Sequence, residues 1–288
     1  MLVIFGIIFT FAMVFGGFIL GGGKFEIIIH ALPHEMMTIG GAAIGAYLVS
    51  NKSTVVKKTL KDFGKVFGSG KWKASDYEDL LCLLFGLCKL VRSKGMIAVE
   101  QHIENPHSSG IFNQYPRIRD DHFAAEFICD TMRMMTMNFD DPHQVEDVME
   151  KLLEKHHHET SAPGHALQTC ADGIPALGIV AAVLGVIKTM ASISEPVEVL
   201  GAMIGGALVG TFLGVFLSYC FVGPFANKLK QLYDMDHQFY MIIRAVLVSH
   251  LHGNAPQVSA EIGRSNVPTH YQPTFSTMEP KLSGVNVG

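Results

Sequence analysis

Two apolar stretches studded with glycine, Gly173–Met190 and Gly201–Phe221, constrain this chain more than anything else in it. Each is long enough to cross a bilayer, whose ~30 Å hydrocarbon core takes roughly 20 helical residues. Between their ends neither holds a carboxylate, and Lys188, near one end, is the only charge. A span that faced lipid alone would be greasier and poorer in glycine. Here Gly206, Gly210 and Gly214 fall four apart and so form one bare stripe along a helix, and Gly201 and Gly205 repeat the spacing. Such stripes let another backbone approach closely inside a membrane. The chain therefore reads as a membrane subunit built to pack tightly against other helices.

Composition fits a membrane part joined to a sizeable water-soluble part. Hydrophobic residues make up 49% and charged residues 17%, with a mean hydropathy of +0.29. That is too apolar for an ordinary soluble domain and too polar for a pure transporter. The net charge of −4 speaks against nucleic acid as a partner. Cys82, Cys88, Cys129, Cys170 and Cys220 are scattered, odd in number and free of CxxC or CxxH spacing, so they read as free thiols rather than metal ligands.

The fold class expected is all-α: a polytopic membrane protein with four transmembrane helices and a helical cytoplasmic domain. The spans are residues 1–21, 33–50, 172–191 and 200–222. The first has no basic residue before it and no clear small-x-small cleavage site, so it reads as a retained span and not a signal peptide. Lys52, Lys57, Lys58, Lys61 and Lys65 follow the second span, and Lys228 and Lys230 follow the fourth. The opposite side has Lys24 in one connection, while the other, Ser192–Val199, has no Lys or Arg and carries Glu195 and Glu198. This asymmetry puts both termini and the large loop, 51–170, on the cytoplasmic side of the membrane.

The loop reads as amphipathic helices. Ser75-Asp76-Tyr77-Glu78 has the form of a capping box, and Leu80, Leu81, Leu84, Leu87, Leu90 and Val91 then keep helical spacing up to Gly95. A second helix is expected over His122–Phe139. Asp141-Pro142 opens a third, which can run on toward the third span. Residues 223–288 are expected to hold one more helix, Ala226–Leu251, and then a loose, Pro/Ser-rich tail.

No GxSxG, HExxH, Walker or Rossmann pattern is present, so nothing points to an enzyme. His156, His157 and His158 are consecutive. On a helix they point about 100° apart and cannot easily converge on one ion, so they read as a solvated face rather than a metal site. Thr211 is the hydroxyl inside the glycine stripe. It either bonds back to the Ala207 carbonyl or faces a polar path between helices. Pro175 is either a helix-start proline or a kink within a longer helix, and Pro224 is either a helix stop or a kink just past the fourth span. Arg92 and Glu100 flank the turn at Gly95 and, taken alone, are solvated surface charges.

The order of these features resembles the flagellar stator MotA family, within the MotA/TolQ/ExbB proton channel superfamily. Arg92-Ser93-Lys94-Gly95, leading to Glu100-Gln101-His102-Ile103-Glu104-Asn105-Pro106, is similar to that family's cytoplasmic motif. Ile174-Pro175-Ala176-Leu177-Gly178 through Val186 resembles its third span, and Leu208-Val209-Gly210-Thr211-Phe212-Leu213-Gly214 its fourth, while Pro224 falls where the family has a proline. Val14-Phe15-Gly16-Gly17 also fits, and the likeness covers about residues 1–265. The resemblance implies a homo-pentamer around a dimer of MotB-type subunits, each supplying a transmembrane Asp, in the bacterial inner membrane among its lipids. It implies a rotor switch complex of the FliG type that meets Arg92 and Glu100. It also implies coupling through Pro175 and Pro224, and an ion path past Thr211, Ala182 and Gly210. Gln101-His102 is less charged than in some relatives, which leaves the detail of the rotor contact open.

The residues add one check of their own. A proton path needs a titratable relay near mid-membrane, and in the expected spans Glu35, Asp172 and Lys188 all lie near ends. If the chain conducts, a partner must bring the carboxylate. In sodium-driven members of the family threonines stand at the positions of Ala182 and Gly210, so only Thr211 offers a hydroxyl here. One hydroxyl is a poor sodium cage but can order a water for proton relay. The expected coupling ion is the proton, with no cofactor. The alternatives are an ExbB/TolQ-like subunit energising outer-membrane transport, a His-rich membrane metalloenzyme and a non-conducting scaffold.

Overall fold

A computed structural model describes residues 2–137 and 139–286. Met1, Asn138, Val287 and Gly288 fall in the expected first span, second loop helix and tail, and lie outside the described residues. Among the described residues there is helix and no strand. The helices are α1 (Leu2–Leu20), α2 (Phe25–Ser50), α3 (Ser53–Asp62), α4 (Ala74–Lys94), α5 (Ile97–Glu104), a single turn α6 (Pro116–Arg119), α7 (His122–Thr136), α8 (Pro142–Ala191), α9 (Val197–Leu217), α10 (Gly223–Leu251), α11 (Pro256–Ser265) and α12 (Phe275–Ser283). Four stretches are long and apolar enough to cross a membrane: α1, α2, α8 and the run Val197–Leu251. The protein is a multi-pass membrane protein. Helix α2 starts at Phe25 and passes through Pro33, so it is longer than the 33–50 expected.

The chain divides into two compact units. The first comprises residues 1–69 and 160–232. Its small core is built from Ile28, Ile39, Ala43, Ile174, Ala181, Val209 and Leu213. Aromatic rings fasten α1 to α9: Phe15 meets Phe216 edge-on at 5.4 Å between ring centres, and Phe11 meets Phe216 at 5.6 Å. Much of the apolar surface of α1 remains exposed, including Phe5, Ile8, Phe9 and Met13. A membrane protein can leave such surface for lipid or for other subunits.

The second unit comprises residues 70–159 and 233–288. Its core is organised on α4, where Tyr77, Leu80, Leu81, Leu84 and Leu87 are fully buried. Trp72 stacks on Phe239 at 3.8 Å. Asp121 caps α7 by accepting the Ala124 N–H at 2.8 Å, accepts the Tyr240 hydroxyl at 3.2 Å and pairs with Lys71. Asp141 opens α8 as expected, accepting the backbone N–H groups of His143 and Gln144.

Three local expectations need correction. The start of α4 is Ala74, and Asp76 accepts the Lys73 backbone N–H at 2.7 Å, so the cap lies two residues before Ser75. Helix α7 ends at Thr136, short of Phe139. The tail is not loose: α11 packs so closely that a Cβ on Gly263 would lie 2.3 Å from Val246 Cγ2 and 2.9 Å from Leu81 Cδ2. Met278 and Val285 are buried, and Lys281 pairs with Glu78. Few but well-spaced apolar residues, each meeting α4 or α10, outweigh the polar composition that suggested disorder.

Candidate functional site

The glycine stripe of α9 faces the chain's own helices. A Cβ on Gly214 would lie 2.7 Å from Gly178 Cα and 3.1 Å from the Ile174 carbonyl of α8. One on Gly178 would lie 2.9 Å from Gly214 Cα and 2.9 Å from the Gly210 carbonyl. The two backbones touch, and only glycine permits it. Farther along, Gly185 meets Ala207, with a built Cβ 2.6 Å from the alanine methyl. Gly206 has more room, with only Ala31 at 3.9 Å. The tight packing read from the stripe is thus intrachain, between α8 and α9 at Gly178 and Gly214 and between α2 and α9 at Gly210.

Gly210 is buried, and a Cβ there would meet Glu35 Oε2 at 2.6 Å and Ala181 Cβ at 3.2 Å. Glu35 is the eleventh residue of α2, counted from Phe25, so it does not stand at the helix entry. The Oε2 atom is buried and has no hydrogen-bond partner among the described residues. The ten helical residues before it were hidden from sequence reading by Pro33, taken there as a boundary. Ala182 and Thr211, one residue on from Ala181 and Gly210, are each half-buried. Thr38 and Thr189 bond back to the carbonyl four residues earlier, at 3.0 and 2.9 Å. Thr211 makes no such bond to Ala207 among the described residues, so its hydroxyl is available to a ligand or water.

Pro175 lies inside the 50-residue α8, so it interrupts a helix and does not begin one. Proline has no N–H, and the carbonyl four residues before it loses its partner. That carbonyl belongs to Ala171, and it accepts the Ser218 hydroxyl at 2.7 Å. Ser218 opens a π-helical turn, Ser218–Val222, which joins α9 to α10. Pro224 is the second residue of α10. The wide turn lets the chain pass a proline without the clash an α-helix would suffer. Pro224 is thus neither a stop nor a sharp end. Ser218 and Pro163, a second proline inside α8, were not singled out from sequence. A serine at a span's end is too common a signal to mark.

In the second unit Arg92 sits in the last turn of α4 and Glu100 in the first turns of α5, either side of Gly95 at φ +81°. Both are exposed, and neither is in a salt bridge among the described residues. Ile97 between them is 85% exposed. Glu104, two residues before the Pro106 that closes the motif, accepts from Arg133 Nε at 2.7 Å, which holds its carboxyl below the usual range. Nearby, burial and then the Lys94 charge push His102 below its ordinary value, and its Nδ1 lies 2.8 Å from Ser109 Oγ.

His156 stacks on Phe123 at 3.5 Å, and His157 faces His237 at 4.4 Å and Asp234 at 3.5 Å. Among the described residues no group of three or more His, Cys, Asp or Glu side chains is arranged to hold a metal ion.

Comparison with known proteins finds two family matches: "Motility protein A N-terminal" over residues 4–95 and "MotA/TolQ/ExbB proton channel family" over residues 119–240. Motility protein A of Salmonella typhimurium is 37% identical over 285 residues, covering 99% of this chain and 96% of its own. Motility protein A of Escherichia coli is 36% identical with the same coverage. Chemotaxis protein LafT of Vibrio parahaemolyticus is 33% identical over 96% of this chain and 97% of its own. The likeness thus reaches beyond residue 265 into the tail that packs on α4. The fold is shared with the C. jejuni MotAB structure, at a TM-score of 0.73, 19% identity and coverage of 93% and 95%. It is also shared with the flagellar MotAB stator complex of Bacillus subtilis, at 0.68, 24% identity and coverage of 93% and 96%.

Proposed function

The chain belongs to the motility protein A family, and we propose that it acts as the stator subunit of a bacterial flagellar motor, forming with a MotB-type partner a complex that turns proton flow into torque. The observation that carries this reading is the 37% identity to a motility protein A along the whole chain. An ExbB/TolQ-like role is weaker, because residues 4–95 match the motility protein model.

In this reading the complex sits in the inner membrane, with both termini and residues 51–170 in the cytoplasm. Five copies surround a dimer of MotB-type subunits, each bringing one transmembrane Asp. Protons pass along Thr211, and Ala182 and Gly210 bring no side-chain oxygen of their own to hold sodium. One charge falling through ~150 mV releases about 3.5 kcal/mol, at about 2.3 per 100 mV. That is several RT, enough to bias a switch between packed states. Pro175 and Pro224 carry the movement into the cytoplasmic unit, where exposed Arg92 and Glu100 meet a FliG-type rotor complex. Expression of the chain with its partner in a non-motile strain lacking its own stator pair tests the reading. Restored rotation is expected, and stable membrane assembly without rotation argues against it.

A further inference from the structure

Two breaks in helical hydrogen bonding meet at one residue, Ser218. Pro175 leaves the Ala171 carbonyl without the donor a continuous helix would supply. In a membrane such a group must find another partner, and serine hydroxyls of neighbouring helices are one source. Here the partner is Ser218 Oγ, 2.7 Å away across 47 residues of sequence and 2% exposed. The backbone carbonyl of the same serine accepts the Gly223 N–H, the five-residue bond that makes the turn before Pro224 wide. A Cβ on Gly223 would lie 3.0 Å from that carbonyl, so glycine suits the position. One helical turn before Ser218, Gly214 lies against Gly178 and the Ile174 carbonyl, which holds the two helices near enough for the hydroxyl to reach.

We propose that Ser218 is a positioning residue that ties the Pro175 break of α8 to the wide turn before Pro224, so that the two proline sites move as one. Opening either break without the other would leave the Ala171 carbonyl bare in an apolar interior. The tie therefore favours concerted change over independent bending. The role in torque rests on the stator reading above, whereas the tie itself does not.

Two measurements separate these claims. The first is a cycle of thermal unfolding midpoints on the purified membrane complex, comparing wild type, Ser218→Ala, Pro175→Ala and the double variant. The Pro175→Ala change restores an N–H for the Ala171 carbonyl. Ser218→Ala should therefore lower the midpoint when Pro175 is present and leave it unchanged in the Pro175→Ala background, because coupled pairs are not additive. Equal shifts in both backgrounds overturn the tie. The second is torque at high load on tethered cells, with tagged complexes counted at the motor. Ser218→Ala should be recruited and give at least threefold less torque, while Ser218→Thr, which keeps the hydroxyl, should give more than half of wild type. Wild-type torque from Ser218→Ala, or Ser218→Thr no better than Ser218→Ala, overturns the positioning role. A wild-type chain that drives no motor sinks the stator reading and leaves the first measurement to judge the tie.

Discussion

Glu35 of α2 rests its carboxylate on the backbone of Gly210 of α9: a Cβ at Gly210 would fall 2.6 Å from Glu35 Oε2. The expected ion path runs beside this contact, since Thr211 is the next residue. The chain thus brings an acid of its own, from within α2, to the side of Gly210. Where protons pass Thr211, as proposed, Glu35 stands as a second acid beside the partner's carboxylate.

Glu35→Gln keeps the shape and removes the charge. Complexes carrying it should assemble at normal levels and rotate several-fold more slowly at low load, where ion throughput limits speed. Bead-tracking of motors in a strain lacking its own stator checks this. Unchanged low-load speed would mean that Glu35 only fills space beside Gly210.

The glycines of the stripe should not be equal. Gly214→Ala forces a methyl against the Gly178 backbone and should cost about 1–3 kcal/mol, as overpacking does. Gly206→Ala meets only Ala31 at 3.9 Å and should be nearly neutral. Thermal midpoints of the two purified variants decide, and equal losses would show that the intrachain contact is not what the stripe serves.

Arg92 and Glu100 should serve a partner and not the fold, because both are exposed on either side of the Gly95 turn. Reversing both charges should leave expression and assembly intact while motility falls several-fold, with partial recovery when the facing charges on the rotor are reversed too. Loss of assembly in the double variant would show a structural role instead.

Acidification should weaken the second unit through His102. Its folded-state pKa is lowered from 6.5 by burial and by Lys94, so the folded protein resists taking up the proton. Below about pH 6.5 the unfolded chain binds more protons than the folded one, and stability falls with pH until the folded form also titrates. The contribution is therefore intact at neutral pH and lost on the acid side. His102→Gln should flatten the drop in thermal midpoint between pH 7.5 and 5.5, whereas an unchanged slope would assign the acid sensitivity to other groups.

Much of this architecture is legible in the residues themselves. Glycine spacing announced a close helix approach, Asp141-Pro142 marked the start of α8, and Leu80 to Val91 traced α4. Spacing along one helix cannot say whose backbone comes near, so the partner in that approach, Gly178 of the same chain, emerged only in three dimensions. The packed tail was missed because a few long-range contacts, such as Met278 in the core and Gly263 against Val246, stabilise a segment whose composition looks solvated. Ser218 was invisible for a related reason. Its role depends on the carbonyl that a proline 43 positions earlier leaves open, and no local pattern records that.

The central claim is that protons, not sodium, drive this complex. The most direct measurement is rotation speed in a strain whose only stator is this chain with its partner, as external sodium is varied and a protonophore is added at constant sodium. The account predicts speed indifferent to sodium and abolished by the protonophore. Speed that rises with sodium and survives the protonophore would contradict it.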